Sequence, residues 1–174
     1  PEISFTNEAT RSEVMANAYF LRAYCYFTLV RVFGDCPLLT SGFESEKQED
    51  MYPSRTAASE VYAQVETDIE EALRLMPASS KLLHKASPAA INMLRTEYYL
   101  WKAKRLGGGN AALSTAQSSV DAVLKAGYAL LPTFADIFNL NNEANSELIW
   151  TLPYIVNENV TPGTSPNFFA YYLA

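Results

Sequence analysis

Histidine is almost missing from this sequence: His84 stands alone in 174 residues. A hydrolase triad or a histidine-based metal site would have to recruit that one ring together with distant partners. Its place in a polar turn marks it instead as a solvated loop residue, so no catalytic or metal-ligating set is expected. Cysteine is scarce too. Cys25 and Cys36 are the two present, and a helix from Cys25 to Gly34 would separate them by about 13 Å. A disulfide needs Cα atoms roughly 4.4–6.8 Å apart, so both are expected to be buried free thiols. Basic residues are in deficit, 13 against 19 acidic ones for a net charge of −6, which excludes the basic footprint of a nucleic-acid partner. No uncharged apolar run reaches the roughly 18 residues of a membrane-spanning helix. No signal-peptide pattern precedes Pro1, so the chain is expected to be a processed or cut piece of something longer. Gly107-Gly108-Gly109 has neither a strand before it nor the Lys-Ser/Thr that a phosphate loop needs. It reads as a helix connector, and no cofactor is expected.

What the sequence does contain is apolar surface. Hydrophobic residues make up 49% and charged ones 18%, which rules out disorder, and a chain of this length buries roughly 70% of its unfolded surface. The densest stretch is Ala18 to Thr40. There Leu21, Cys25, Leu29 and Val32 fall on one helical face, and Phe20, Ala23, Phe27 and Val30 on another. A surface helix carries one apolar stripe, whereas a helix apolar nearly all round must be enclosed. Gly34 supplies the left-handed stop and Pro37 prevents resumption. Arg22 and Arg31, the charges within this helix, are expected to be structural, paired with Asp35 or Asp68 or bonded to carbonyls, because an unpaired buried charge is very costly.

Phe20 to Leu38 resembles the most recognisable block of the SusD/RagB family, F-L-R-A-x-x-Y-F-x-L-V-R-x-[FY]-G-D-x-P-L. The two arginines and the Gly-Asp-x-Pro-Leu exit make the match specific. Further blocks continue it in order: Val61 to Pro77, Lys85 to Trp101, Gly127 to Phe138 and Asn145 to Trp150 are each similar to family segments, so the resemblance runs from about Tyr19 to Trp150.

Local signals place four helices. Thr10 to Glu13 is a capping box for a first helix ending at Phe33, followed by a polar loop over Asp35 to Arg55. Thr56 begins a second helix with Val61, Tyr62, Val65, Ile69, Ala72, Leu73 and Met76 inward, closed by Pro77. Glu66, Glu70, Glu71 and Arg74 take its other face as a solvated surface, with Glu70 and Arg74 as an i,i+4 pair. Ser87-Pro88 opens a third helix carrying Ile91, Leu94, Tyr98 and Trp101 and ending near Leu106. Asn110 caps a fourth, with Leu113, Ala116, Val120, Val123 and Leu124 inward and Gly127 at its end. Glu147 to Leu152 reads as a short strand. Consecutive amphipathic helices with short turns suggest a solenoid of helix hairpins. The fold expected is mainly α, a tetratricopeptide-like SusD-type scaffold with irregular loops. It forms a single domain or a fragment of a larger one, helical over about 10–127 and loop-rich over about 128–174.

Enzymatic chemistry finds no support in the carboxylates. Glu66 with Glu70, and Glu143 with Glu147, could face each other along a helix, but glycosidase carboxylates must flank a bond in a cleft. Aromatics are the informative class, at 13% with 11 Tyr and 9 Phe. Most fall at helical spacing and belong to the core. Trp150, Tyr154, Phe168, Phe169, Tyr171 and Tyr172 instead stand among Asn157, Asn159, Thr161, Gly163, Thr164 and Asn167. Flat aromatics beside amide and hydroxyl groups suit the apolar face and polar rim of a sugar ring, so these six are the candidate glycan contacts. The competing reading of each is packing against the helices or against a part of the protein outside this chain.

The resemblance implies non-catalytic binding of an oligosaccharide or other nutrient at the bacterial cell surface. It also implies delivery to a SusC-like TonB-dependent transporter, and attachment to the outer membrane through a lipid anchor absent from this chain. Family members are roughly three times this length, and their glycan contacts lie mostly in variable loops, so no binding residue is carried over. The alternatives from other classes are a helical-repeat protein–protein scaffold and a glycoside-acting enzyme.

Overall fold

The computed structural model describes residues 4–42, 52–80, 83–142 and 144–152. Four long helices carry the fold: α1 (Glu8–Phe33), α2 (Ala58–Leu75), α3 (Pro88–Arg105) and α4 (Gly109–Leu124). A one-turn α5 (Phe134–Ile137) and a 3-10 turn (Leu140–Asn142) follow, and no strand occurs among the described residues.

The first helix starts three residues earlier than the capping box at Thr10 suggests. Asn7, in extended conformation, accepts a hydrogen bond from the Ala9 N–H at 2.8 Å, so an amide carbonyl caps the helix in place of the threonine hydroxyl. Gly34 ends it with φ at 68°, a left-handed conformation that side chains resist, and its N–H donates to the Val30 carbonyl at 3.0 Å. The next residue begins the return. Asp35 Oδ1 accepts from the Ala58 N–H at 2.8 Å, capping the first turn of α2 across the long connection. Thr56 is therefore not the first helical residue. Its N–H donates to the Cys36 carbonyl at 3.0 Å in an isolated antiparallel bridge.

Successive helices run antiparallel. Asp35 meets Ala58 at one end of the α1–α2 pair, and Arg22 meets Asp68 further along. Between α2 and α3, Tyr62 meets Trp101, Glu66 meets Lys102 and Glu70 meets Arg95. The core lies where α1, α2 and α3 converge, around Phe27, Val61, Val65, Ile69, Ile91 and Tyr98. The expected inward positions of α2 and α3 are buried, apart from Leu73 and Trp101, which are half-buried.

The inward face of α4 includes the expected Ala116 and Val123 but departs from expectation at Leu113 and Leu124. Ala112, Ala116, Ser119 and Val123 are buried, whereas Leu113 is 46% and Leu124 72% exposed. Small residues let α4 approach α3 closely, and Ser119 Oγ accepts from Arg95 Nη1 at 2.8 Å. Asn110 lies inside the helix and Gly108 holds the N-cap position. A Cβ at Gly108 would sit 2.8 Å from the Ala112 Cβ, so the connector must be bare there.

The segment Glu147 to Leu152 is irregular, not a strand. Its Thr151 N–H donates to the Leu83 carbonyl, while Ser146, just before the segment, accepts from the Ala129 N–H, each at 3.0 Å, and no ladder forms with either stretch. The α1 face of Leu21, Cys25, Leu29 and Val32, expected to be enclosed, is exposed. Cys25 therefore differs from the buried thiol anticipated. Cys36 is buried, both are free, and burial pushes the Cys36 thiol pKa up.

Candidate functional site

The charged groups closest to the core serve the fold. Arg22 donates through Nε and Nη2 to the two oxygens of the fully buried Asp68, each at 2.7 Å. Gln64 Nε2 donates to the same carboxylate at 2.8 Å. The hydrogen bond to Asp68 raises the Arg22 pKa above its ordinary value. Arg31 pairs with Glu97 of α3, donates to the Phe27 carbonyl at 3.2 Å, and lies 4.1 Å from the centre of the Phe27 ring. Asp35, a proposed arginine partner, is spent on the α2 cap.

Glu66 and Glu70 are not the solvated surface that their spacing suggested. Glu66 accepts from Lys102 at 2.6 and 2.7 Å, from Tyr98 at 2.9 Å and from Tyr99 at 3.0 Å. Burial alone would raise its pKa, but these donors together outweigh burial and hold the carboxyl below the usual range. Burial first, and then the bond to Glu66, push both the Tyr98 and the Tyr99 phenols far up. Glu70 accepts from Arg95 at 2.7 Å instead of from Arg74, which pairs with Glu71. Glu66 and Glu70 thus stitch α2 to α3.

The one candidate aromatic within the described residues, Trp150, is half-buried. Its ring stands edge-on to Phe20 (centroids 5.2 Å, 86°) and to Tyr24 (5.3 Å, 67°). Tyr154, Phe168, Phe169, Tyr171 and Tyr172 lie outside the described residues. Around Trp150 opens a cleft of about 490 Å³ between α1, α3 and the segment Glu147 to Trp150. Tyr24, Met93, Leu100 and Trp150 give it flat apolar surface, and Thr96, Glu97 and Glu147 its polar groups. Glu97 is held by Arg31, and Glu147 accepts from the Leu131 N–H at 2.9 Å.

Chemically, this arrangement can receive an apolar face and offer acceptors at its edge. Its two carboxylates are already engaged, and no cluster able to hold a metal exists among the described residues. His84 is exposed and its Nδ1 lies 3.2 Å from Thr151 Oγ1, a loop contact as expected. Tyr24 falls among the aromatics whose helical spacing assigns them to the core, yet it is exposed, and nothing in the sequence pattern singles out Glu97, Met93 or Leu100. Nothing local marks them, because the cleft joins three segments more than forty residues apart in sequence.

A sequence profile of a SusD-like family, described as "Starch-binding associating with outer membrane", matches residues 2–100. The SusD-like protein P25 of Formosa agariphila is 28% identical over 155 residues, 85% of this chain and 27% of the relative. Among solved structures, a SusD superfamily protein from Bacteroides vulgatus is 32% identical with a TM-score of 0.79. That match covers 90% of this chain and 32% of the other. A structure described as a laminarin-binding SusD-like protein is 25% identical with a TM-score of 0.69, covering 83% and 31%. The chain thus spans about 27% of the curated relative's length.

Proposed function

The chain belongs to the SusD-like family, and from that premise we propose that it is part of a surface protein that binds a glycan without cleaving it. In this proposal the protein is lipid-anchored to the outer membrane and hands its ligand to a SusC-like TonB-dependent transporter. The profile match over residues 2–100 carries the reading. The laminarin binding named for one structural relative supports a polysaccharide-derived ligand, and a β-glucan oligosaccharide is the first ligand to try. No helix among the described residues is long and apolar enough to cross a membrane. Trp150 with Tyr24 is the proposed aromatic platform, and Tyr154, Phe168, Phe169, Tyr171 and Tyr172 are proposed as further contacts.

Calorimetry on the full-length protein with laminarin-derived and other oligosaccharides tests this. Saturable binding with no new reducing ends is expected, together with co-purification of a TonB-dependent transporter from outer membranes. Sustained hydrolysis, or no binding across a broad glycan panel, would overturn the reading.

A further inference from the structure

The cleft beside Trp150 carries charge of one sign. Among the described residues that line it stand two carboxylates, Glu97 and Glu147, and no lysine, arginine or histidine. Each carboxylate is half engaged. One oxygen of Glu97 pairs with Arg31, and one oxygen of Glu147 accepts from the Leu131 N–H at 2.9 Å. The second oxygen of each has no protein partner among the described residues. Arg31 itself lies outside the lining, with its Nε donating to the Phe27 carbonyl at 3.2 Å and its guanidinium over the Phe27 ring. Side-chain donors in the wall are neutral and few. Thr96 Oγ1 already donates to the Asn92 carbonyl at 2.7 Å, which leaves the Tyr24 hydroxyl and the Trp150 indole N–H.

Such a wall treats sugars differently according to their charge. A sugar hydroxyl brings its own proton and donates it to a free carboxylate oxygen, a charge-assisted bond stronger than a neutral one. The C–H face of the same ring can lie on Tyr24 and Trp150. A uronate or a sulfate ester arrives as an anion instead. It must give up its water where no cation in the wall receives it, and beside two groups of its own sign, an arrangement that suppresses the wrong partner.

We propose that Glu97 and Glu147 make this cleft selective for uncharged oligosaccharides and closed to glycans that bear carboxylate or sulfate groups. The inference deepens the glycan-binding reading and rests on it. Trp150 and Tyr24 supply the platform common to many sugars, and the two carboxylates determine which sugars may use it.

Matched pairs test it: a neutral oligosaccharide and the same oligosaccharide oxidised at C6 to the uronate, titrated into the full-length protein by calorimetry. Laminarin-derived chains come first, and a panel of other neutral glycans with their oxidised counterparts follows. The neutral member should bind at least about tenfold more tightly than the uronate at low ionic strength. That ratio should shrink several-fold in about 1 M salt, where charges are screened beyond about 3 Å, a measurement that needs no variant. In the double variant Glu97→Gln with Glu147→Gln the ratio should narrow to about threefold or less, because the like charge is gone and Arg31 is released to receive an acid. Uronate binding as tight as neutral binding in the native protein overturns the proposal, and so does an unchanged ratio in the folded double variant. Failure of both members across the panel, or full affinity for the neutral one in Trp150→Phe, instead overturns the reading of the cleft as a glycan site, and this inference with it.

Discussion

Arg22 and Asp68 meet in a two-pronged ion pair across the α1–α2 interface, both bonds at 2.7 Å, with the arginine side chain 26% and the aspartate 1% exposed. The geometry sets the guanidinium fork against both carboxylate oxygens, which a lysine cannot reproduce. The two residues are forty-six positions apart, so the pair fixes the register of one helix on the other.

Removing one partner strands the other. Arg22→Leu leaves the Asp68 carboxylate buried with Gln64 as its remaining donor and should destabilise the fold by about 3 kcal/mol. The double variant with Asp68→Leu should recover part of that loss. Urea unfolding of the full-length protein measures both, and the glycan affinity of the folded fraction should be unchanged. An unaltered unfolding midpoint in Arg22→Leu would show the pair to be dispensable.

Glu66 gives the fold an acid dependence of definite sign. Its folded pKa is depressed, so its contribution is fully present above the unfolded carboxylate value of about 4.3 and is lost as pH falls through the folded pKa. Glu66→Gln should be less stable than the native protein at neutral pH. That gap should narrow below about pH 4. Chemical unfolding at a series of pH values checks it, and a gap of constant size would contradict the assignment.

The alkaline side depends on Tyr98 and Tyr99, whose phenols are pushed up by burial and by Glu66. A raised folded pKa contributes stability that is complete below the unfolded phenol value of about 10 and is lost as pH rises beyond it. Unfolding above that pH should be accompanied by abrupt tyrosinate absorbance. Tyr98→Phe should weaken the dependence while losing the bonds to the Tyr62 carbonyl and Glu66.

Asp35 caps a helix that starts far along the chain. Asp35→Ala should destabilise by about 1 kcal/mol, the usual effect of losing a side-chain cap, and Asp35→Asn should retain most of it. Equal losses in both variants, followed by urea unfolding, would mean that the carboxylate charge matters more than the hydrogen bond.

Trp150 has both a packing role and a proposed ligand role, which two substitutions separate. Trp150→Ala should destabilise by about 3 kcal/mol through loss of its contacts with Phe20 and Tyr24. Trp150→Phe should restore most of the stability yet bind oligosaccharide more weakly, because the broad indole face is gone. Calorimetry showing full affinity in Trp150→Phe would remove Trp150 from the proposed site.

The parts of the fold that were legible were those written in short-range chemistry. Ser87-Pro88 announces α3, and Ser87 Oγ does accept from the Ala90 N–H at 3.1 Å. Gly34 announces the end of α1. Where two local signals compete, as Asn7 and Thr10 do, the sequence leaves the choice to backbone geometry. On α4 the periodicity finds Ala116 and Val123 but puts Leu113 and Leu124 inward because it weighs bulk, whereas close helix contact selects Ala112 and Ser119. The Glu66 cluster was invisible because its donors lie more than thirty residues away on α3, and a carboxylate at helical spacing looks the same whether water or a tyrosine faces it. The cleft beside Trp150 has the same origin: three segments contribute, and none carries a local mark of the others.

Gly34 and Asp35 stop one helix and start the next, and the Cys36–Thr56 bridge lies just inside them. Together they act as a buckle at the base of the excursion between α1 and α2. Chain added above a closed base is almost free of consequence for the helices, since doubling a loop raises its closure cost by only about 0.6 kcal/mol. The excursion is therefore the place where this scaffold can be lengthened, exchanged or fitted with a tag while the helix pair beneath it stays in register.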